Sequence, residues 1–253
     1  MPWTFAHPAA VLAIRPLLSA RLSLAALMVG SITPDVGYYL SLFKMATFAH
    51  TLPGVITVCL PIGLLLLLLI QRLWLPIAYL LPQPHRQALS VLPIRPFAAP
   101  SAVGLSLLIG ALTHIVWDSF THHSGWAVNH IAMLQYPVTL AFGYNTPLFH
   151  ILQHTSTLLG ILYCGWVYRT WLRRQTPTPT ANGSNECWRY LLLVSLGLLA
   201  LAIATALVYS ASPNGTAGFT IDEALVFRLI LTATTTLLVL LVAASQLIAR
   251  KRR

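Results

Sequence analysis

Six apolar runs, each about 20 residues long, dominate this chain. They extend from Leu22 to Phe43, Pro53 to Trp74, Ser101 to Phe120, Leu148 to Trp171, Cys187 to Tyr209 and Leu225 to Ile248. An α-helix rises about 1.5 Å per residue, so each run can cross the roughly 30 Å hydrocarbon core of a bilayer. Of the 253 residues 57% are hydrophobic and only 8% are charged, whereas a water-facing domain carries roughly 25% charge. These features exclude intrinsic disorder and an independent soluble domain. The expected fold is all-α: a polytopic membrane helical bundle of about six transmembrane helices.

The net charge of +10 reflects where the basic residues stand. Arg15 and Arg21 precede the first run, Arg72, Arg86 and Arg95 follow the second, and Arg169, Arg173, Arg174 and Arg189 surround the connection after the fourth. Arg250 to Arg253 close the sequence. With six alternating spans all of these fall on one side, leaving Lys44 and Arg228 opposite. The positive-inside rule makes the crowded side cytoplasmic, so both termini of this multi-pass protein are expected there. Nucleic acid is not an expected partner, because the basic residues do not interleave with aromatics on a polar face; membrane lipid is. Cys59, Cys164 and Cys187 have no CxxC spacing and suggest neither a disulfide framework nor a thiolate metal site.

The segment Gln175 to Glu186 (QTPTPTANGSNE) is rich in Pro, Thr, Asn and Gly and reads as a flexible cytoplasmic linker. It separates a membrane domain, residues 1–174, from a two-helix scaffold with a basic tail, residues 187–253. All nine histidines precede it.

A carboxylate inside an apolar run is costly without a partner and marks a candidate functional site. Asp35, in GSITPD, and Asp118, in GALTHIVWDSFTHH, both qualify. His114, Asp118 and His122 stand at i, i+4 and i+8, along one helix face. Imidazole and carboxylate on a shared face suit a borderline metal such as zinc. Counting inward from Arg21, Pro100 and Arg169, the residues Asp35, His114 and His154 lie 14, 14 and 15 positions deep, or about 21 to 23 Å at helical rise. His50 lies farther out. His7 joins them if the first 14 residues form a half-helix that turns near Arg15 and Pro16. Pro34 should bend the chain at Asp35. The expectation is an outward-facing cavity lined by His7, Asp35, His50, His114, Asp118, His122 and His154, enough ligands for two or three metals, or for one metal with carboxylates orienting the histidines. Trp117, Trp126, Tyr136 and Tyr144 read as an aromatic belt.

Five stretches, PWTFAHPAAVL, GSITPD, HTLPG, GALTHIVWDSFTHHSGW and LQHTSTLLG, resemble, in this order, a family of bacterial membrane proteins catalogued as domain-of-unknown-function family 4184. The resemblance covers roughly Met1 to Arg174 and implies no particular reaction. A more remote likeness is to inner-membrane metal-dependent hydrolases and, through them, to the zinc-dependent phospholipase C and P1 nuclease fold. It casts His114 and Asp118 as a HisxxxAsp pair, Asp35 and His50 as the earlier ligands, and His150 with His154 as a later pair. This chain departs from those enzymes in having a second histidine where they have HisxxxGlu, and an imidazole in place of a terminal amine. The likeness implies hydrolysis of a phosphoester in a lipid or polyprenyl phosphate, with zinc as the first choice of metal and manganese the second. Asp35 or Asp118 would orient or deprotonate the attacking water. The alternatives are a proton- or metal-ion-coupled transporter and a non-catalytic membrane partner protein.

Overall fold

The computed structural model describes residues 3–92, 99–140, 143, 145–175, 186–210 and 223–250. Arg95, Tyr144, linker residues 176–185 and tail residues 251–253 lie outside that set. Among the described residues the chain is helical apart from its connecting turns and a short two-stranded ribbon. It divides into two units, Met1–Leu69 with Ile94–Trp171, and Ile70–Pro93 with Leu172–Arg253.

Four segments form helices long and apolar enough to cross a membrane: Leu52–Leu80, Pro100–His130, Cys187–Ser210 and Ala224–Ile248. The other two expected spans differ. Leu148–Arg173 is a 26-residue helix, but His150, Gln153, His154, Thr155, Ser156 and Thr157 crowd its first turns and lower its hydropathy. The run Leu22 to Phe43 is not one helix at all.

That break positions the first unit's polar residues. A 3-10 turn, Thr4–Ala6, leads into α1 (Pro8–Ile14), which begins with a proline whose missing N–H has no role at a helix start. The turn Arg15–Leu17 follows, with the Arg15 guanidinium donating to the Ser19 carbonyl at 3.0 Å. The expected half-helix is therefore present. α2 (Leu24–Gly30) starts where the Ser23 hydroxyl accepts the Ala26 N–H at 3.3 Å. Pro34 cannot continue it, because its ring would clash with the carbonyl four residues earlier, that of Gly30. The Gly30 carbonyl accepts the Thr33 hydroxyl instead, at 2.7 Å. The chain then passes through a 3-10 turn, Thr33–Asp35, into α3 (Val36–Tyr39) and α4 (Phe43–Ala49). His50 and Thr51 separate α4 from α5 (Leu52–Gly54), which continues through a π-helical stretch, Val55–Cys59, into α6 (Leu60–Leu80).

In the second unit α6 is followed by α7 (His85–Ser90), where the Trp74 indole donates to the Leu89 carbonyl at 2.8 Å. The first unit resumes with α8 (Pro100–Thr121), α9 (Trp126–His130), strands β1 (Pro137–Thr139) and β2 (Asn145–Pro147), and α10 (Leu148–Arg173). The strands are antiparallel, with Val138 opposite Thr146. The second unit ends with α11 (Cys187–Ser210) packed on α12 (Glu223–Arg250). Arg189 is buried there over the Tyr79 ring, 4.5 Å from its centroid, and pairs with Glu186 at 3.1 Å.

The closest packing in the first unit is between α2 and α8. A Cβ on Gly30 would press on the Leu107 carbonyl, and one on Gly110 would press on the Leu27 carbonyl. Both positions need glycine because backbone meets backbone. The Ser23 N–H donates to the Ser106 hydroxyl across the same seam at 3.0 Å, and Leu27, Leu107 and Ala111 fill it.

Candidate metal centre

Because α2 and α8 touch, a side chain on one reaches the backbone of the other. His114 of α8 points its Nδ1 at the Ser31 carbonyl, 2.8 Å away. That carbonyl is free because the helix stops before Pro34. The contact requires Nδ1–H, so in the neutral ring, the form that ligates a metal, Nε2 carries the lone pair. His50 is held in the same way, its Nδ1 lying 2.8 Å from the Ala46 carbonyl one turn back. Two imidazoles, each fixed by a backbone acceptor, thus present Nε2 to one point. Second-shell bonds of this kind orient metal-ligating histidines.

The two carboxylates converge on that point. Asp35 Oδ1 lies 3.5 Å from His50 Nε2 and 3.5 Å from His114 Nε2. Asp118 Oδ2 lies 3.5 Å from His50 Nε2 and 3.2 Å from His114 Nε2. The other Asp35 oxygen, Oδ2, accepts the Thr4 hydroxyl at 2.5 Å. Asp35 and His114 are almost wholly buried, Asp118 is 5% exposed, and the His50 side chain is 21% exposed.

Three of these separations, at 3.5 Å, are long for hydrogen bonds, and Asp35 Oδ1 and His114 Nε2 are buried without a hydrogen-bond partner. Orphaned polar atoms at this depth are expensive. The same separations fit a cation. Bonds of about 2.1 Å in a tetrahedron set neighbouring ligand atoms about 3.4 Å apart. Asp35, His50, His114 and Asp118 each offer one ligand atom, and these lie within 4.8 Å of one another. The charges also match. Among the described residues no Lys or Arg pairs with either acid, so two carboxylates and two neutral imidazoles balance a divalent ion. The four residues can hold a metal ion.

Two more histidines border this set. His7, just before α1, is 1% exposed and stacks on His114, with ring centroids 3.7 Å apart. Its Nε2 lies 3.5 Å from Asp118 Oδ1. His122 is not on the α8 face, as the i+8 spacing implies. The helix ends at Thr121, and His122 caps it with extended backbone. Its ring turns back so that Nδ1 lies 3.2 Å from the Asp118 carbonyl and 3.4 Å from Asp118 Oδ1.

His154 is not brought to this set. It is exposed on α10, and its nearby ring is that of His150, 6.1 Å away. The inward position on that turn belongs to Gln153, which is 6% exposed. Adjacent helical residues point about 100° apart, so burying one turns the other out. Depth counted along a helix fixes level but not direction. The Trp117 indole donates to the Ser156 hydroxyl at 3.2 Å, and its ring lies 6.0 Å from His7. Trp126 and Tyr136 are exposed as a belt would require.

A cavity of about 420 Å³ opens beside the centre, with His50, Asp118 and His122 on its wall together with Tyr38, Thr47, Ser119, Ser124 and Trp126. Thr4, Tyr38 and the Ser31 carbonyl are parts of the site that sequence reasoning missed. Only the position of Thr4, three residues before His7, offered any signal.

No curated protein and no solved structure matches this chain. A family profile matches residues 1–246, which takes in the last two helices as well as the five motif stretches. The chain therefore belongs to the family described as Domain of unknown function (DUF4184).

Proposed function

We propose that this protein is a metal-dependent hydrolase of the membrane, acting on a phosphoester in a lipid or polyprenyl phosphate, with zinc as its cation and manganese as the substitute. The observation that carries this reading is the convergence of one ligand atom each from Asp35, His50, His114 and Asp118, all within 4.8 Å of one another, beside a cavity whose wall includes His50, Asp118 and His122. A divalent cation at such a centre lowers the pKa of water and offsets the charge that develops on phosphoryl oxygens.

The two acids take different parts. Asp35 is sealed, with Oδ2 engaged by Thr4, and serves as a ligand. Asp118 reaches the cavity wall, so it is the carboxylate that can orient or deprotonate an attacking water. Tyr38, Thr47, Ser119 and Ser124 offer hydroxyls to a phosphate entering the same space. Deeper along α2 and α8, Leu27, Val103 and Leu107 are buried and apolar, which favours a blind cavity over a transport path. The resemblance to bacterial inner-membrane proteins supports a bacterial inner-membrane location, and the distribution of arginines supports cytoplasmic termini.

The test is phosphate release from phosphatidate and from polyprenyl phosphates in mixed micelles, using purified protein loaded with Zn²⁺ or Mn²⁺. Release should stop with a chelator and fall by about 10²-fold or more in Asp118→Asn. Absence of release from every substrate, or equal release by the variant, would reject the reading.

A further inference from the structure

Trp126 does more than face the bilayer surface, because it also lines the cavity beside the metal centre. It opens α9 and is 68% exposed. His130, one turn on, stacks against the indole with ring centroids 4.5 Å apart and planes inclined by 22°. That imidazole is itself fixed, its Nδ1 lying 2.8 Å from the Trp126 carbonyl. One face of the indole is thus backed by a ring, and the exposure belongs to the other. Gly125 ties this platform to the metal centre. A Cβ there would press on the carbonyls of Ser119 and Asp118, so only glycine lets the chain turn so tightly from α8 into α9. Trp126 is in consequence held beside the helix end that carries Asp118.

The hydroxyls on the same wall fit a ligand that can donate. Ser119 Oγ donates to the Val116 carbonyl at 2.7 Å, and Thr47 Oγ1 to the Phe43 carbonyl at 3.0 Å. Each keeps lone pairs that only a donor on the ligand can use, and an ionised phosphate has no proton to give. A sugar supplies both complements: hydroxyls that donate, and a face of C–H groups drawn to the electron-rich face of an indole. The cavity, about 420 Å³, is larger than a phosphate alone would fill and lies within the range of about 300–1,000 Å³ usual for small-molecule sites.

We propose that Trp126, backed by His130, is a sugar-binding platform, and that the phosphoester reaching this centre carries a polyhydroxylated ring in its headgroup. This rests on the hydrolase reading above and deepens it by naming the substrate class. A cationic headgroup does not suit the same space. Recognition of a quaternary ammonium uses a cage of aromatic rings, and among the described residues the only carboxylate on the wall, Asp118, belongs to the metal set. The ring can come from an inositol phospholipid or from a polyprenyl phosphate bearing a hexose.

The experiment is equilibrium binding of lipids to full-length, detergent-purified protein supplied with Zn²⁺, read by native mass spectrometry, which also registers any cleaved product. Two pairs are compared: phosphatidylinositol with phosphatidate, and a glucose-bearing polyprenyl phosphate with the bare polyprenyl phosphate. Wild type should bind the ring-bearing member of one pair about fivefold more tightly than its partner, and the pair that shows the preference identifies the source of the ring. Trp126→Leu, apolar but without an aromatic face, should abolish the preference while leaving the ring-free lipids bound as in wild type. Trp126→Phe should keep most of it. Trp126 is largely exposed, so neither change opens the core, and an unchanged unfolding midpoint reports that each variant is folded. Equal binding within both pairs by wild type overturns the platform, as does a preference that survives Trp126→Leu. A preference lost in Trp126→Leu without product from any lipid supports the platform and rejects the hydrolase reading; product formed without any preference does the reverse.

Discussion

His114 Nδ1 and the Ser31 carbonyl oxygen lie 2.8 Å apart, across a seam in which α2 and α8 touch backbone to backbone. The contact fixes which nitrogen of His114 faces Asp35 and Asp118, and it exists only because Gly30 and Gly110 let the helices approach. Gly110→Ala should therefore lower stability by about 1–3 kcal/mol through overpacking and reduce bound metal at the same time. Thermal unfolding in detergent, read beside elemental analysis, checks both. A variant destabilised but fully loaded would show that the seam does not control the ligand.

Asp35 is oriented by Thr4, whose hydroxyl donates to Oδ2 and leaves Oδ1 for the histidines. Losing a second-shell bond of this type weakens metal affinity by about 10- to 100-fold. Thr4→Val should show that loss in a competition titration against a chromogenic chelator, and Thr4→Ser should recover most of it. Equal affinity in all three proteins would remove Thr4 from the site.

The two candidate histidines at matched depth should part company. His114→Ala leaves the centre without a buried ligand and should empty it, whereas His154→Ala, on an exposed face, should leave metal content within error of wild type. A comparable loss in both would contradict the orientation of α10.

Metal removal should itself cost stability. A ligand held at 100 times its dissociation constant stabilises the folded state by about 2.7 kcal/mol. Chelation should lower the unfolding midpoint of wild type by several degrees and leave Asp118→Asn nearly unmoved. Equal shifts in the two would mean that the chelator acts elsewhere.

Much of this site was legible because carboxylates in apolar runs are rare and demand partners. Asp35 and Asp118 stood out for that reason, and the helical spacing of His114 and Asp118 placed them on one face, where they pair at 3.2 Å. Pro34 foretold the bend at Asp35. Two things stayed hidden. The rotation of α10 depends on whether Gln153 or His154 packs inward, and neighbouring polar residues carry no hydropathy contrast to decide it. The grip of Thr4 on Asp35 joins segments 31 residues apart through a turn, which no local period encodes. The break within Leu22 to Phe43 was hidden for a related reason: its average is apolar even though Gly30, Ser31 and Pro34 cut the helix.

The centre is sealed on one side and ajar on the other. His7, Asp35 and His114 are almost fully enclosed, while His50 and the Asp118 edge meet the cavity. An ion leaving through that cavity would shed its ligands in a fixed order, the enclosed imidazole last. Exchange should then be slow relative to the lifetime of a purification, and the ion recovered with the protein would record what was abundant when the chain folded, more than what it binds best at equilibrium.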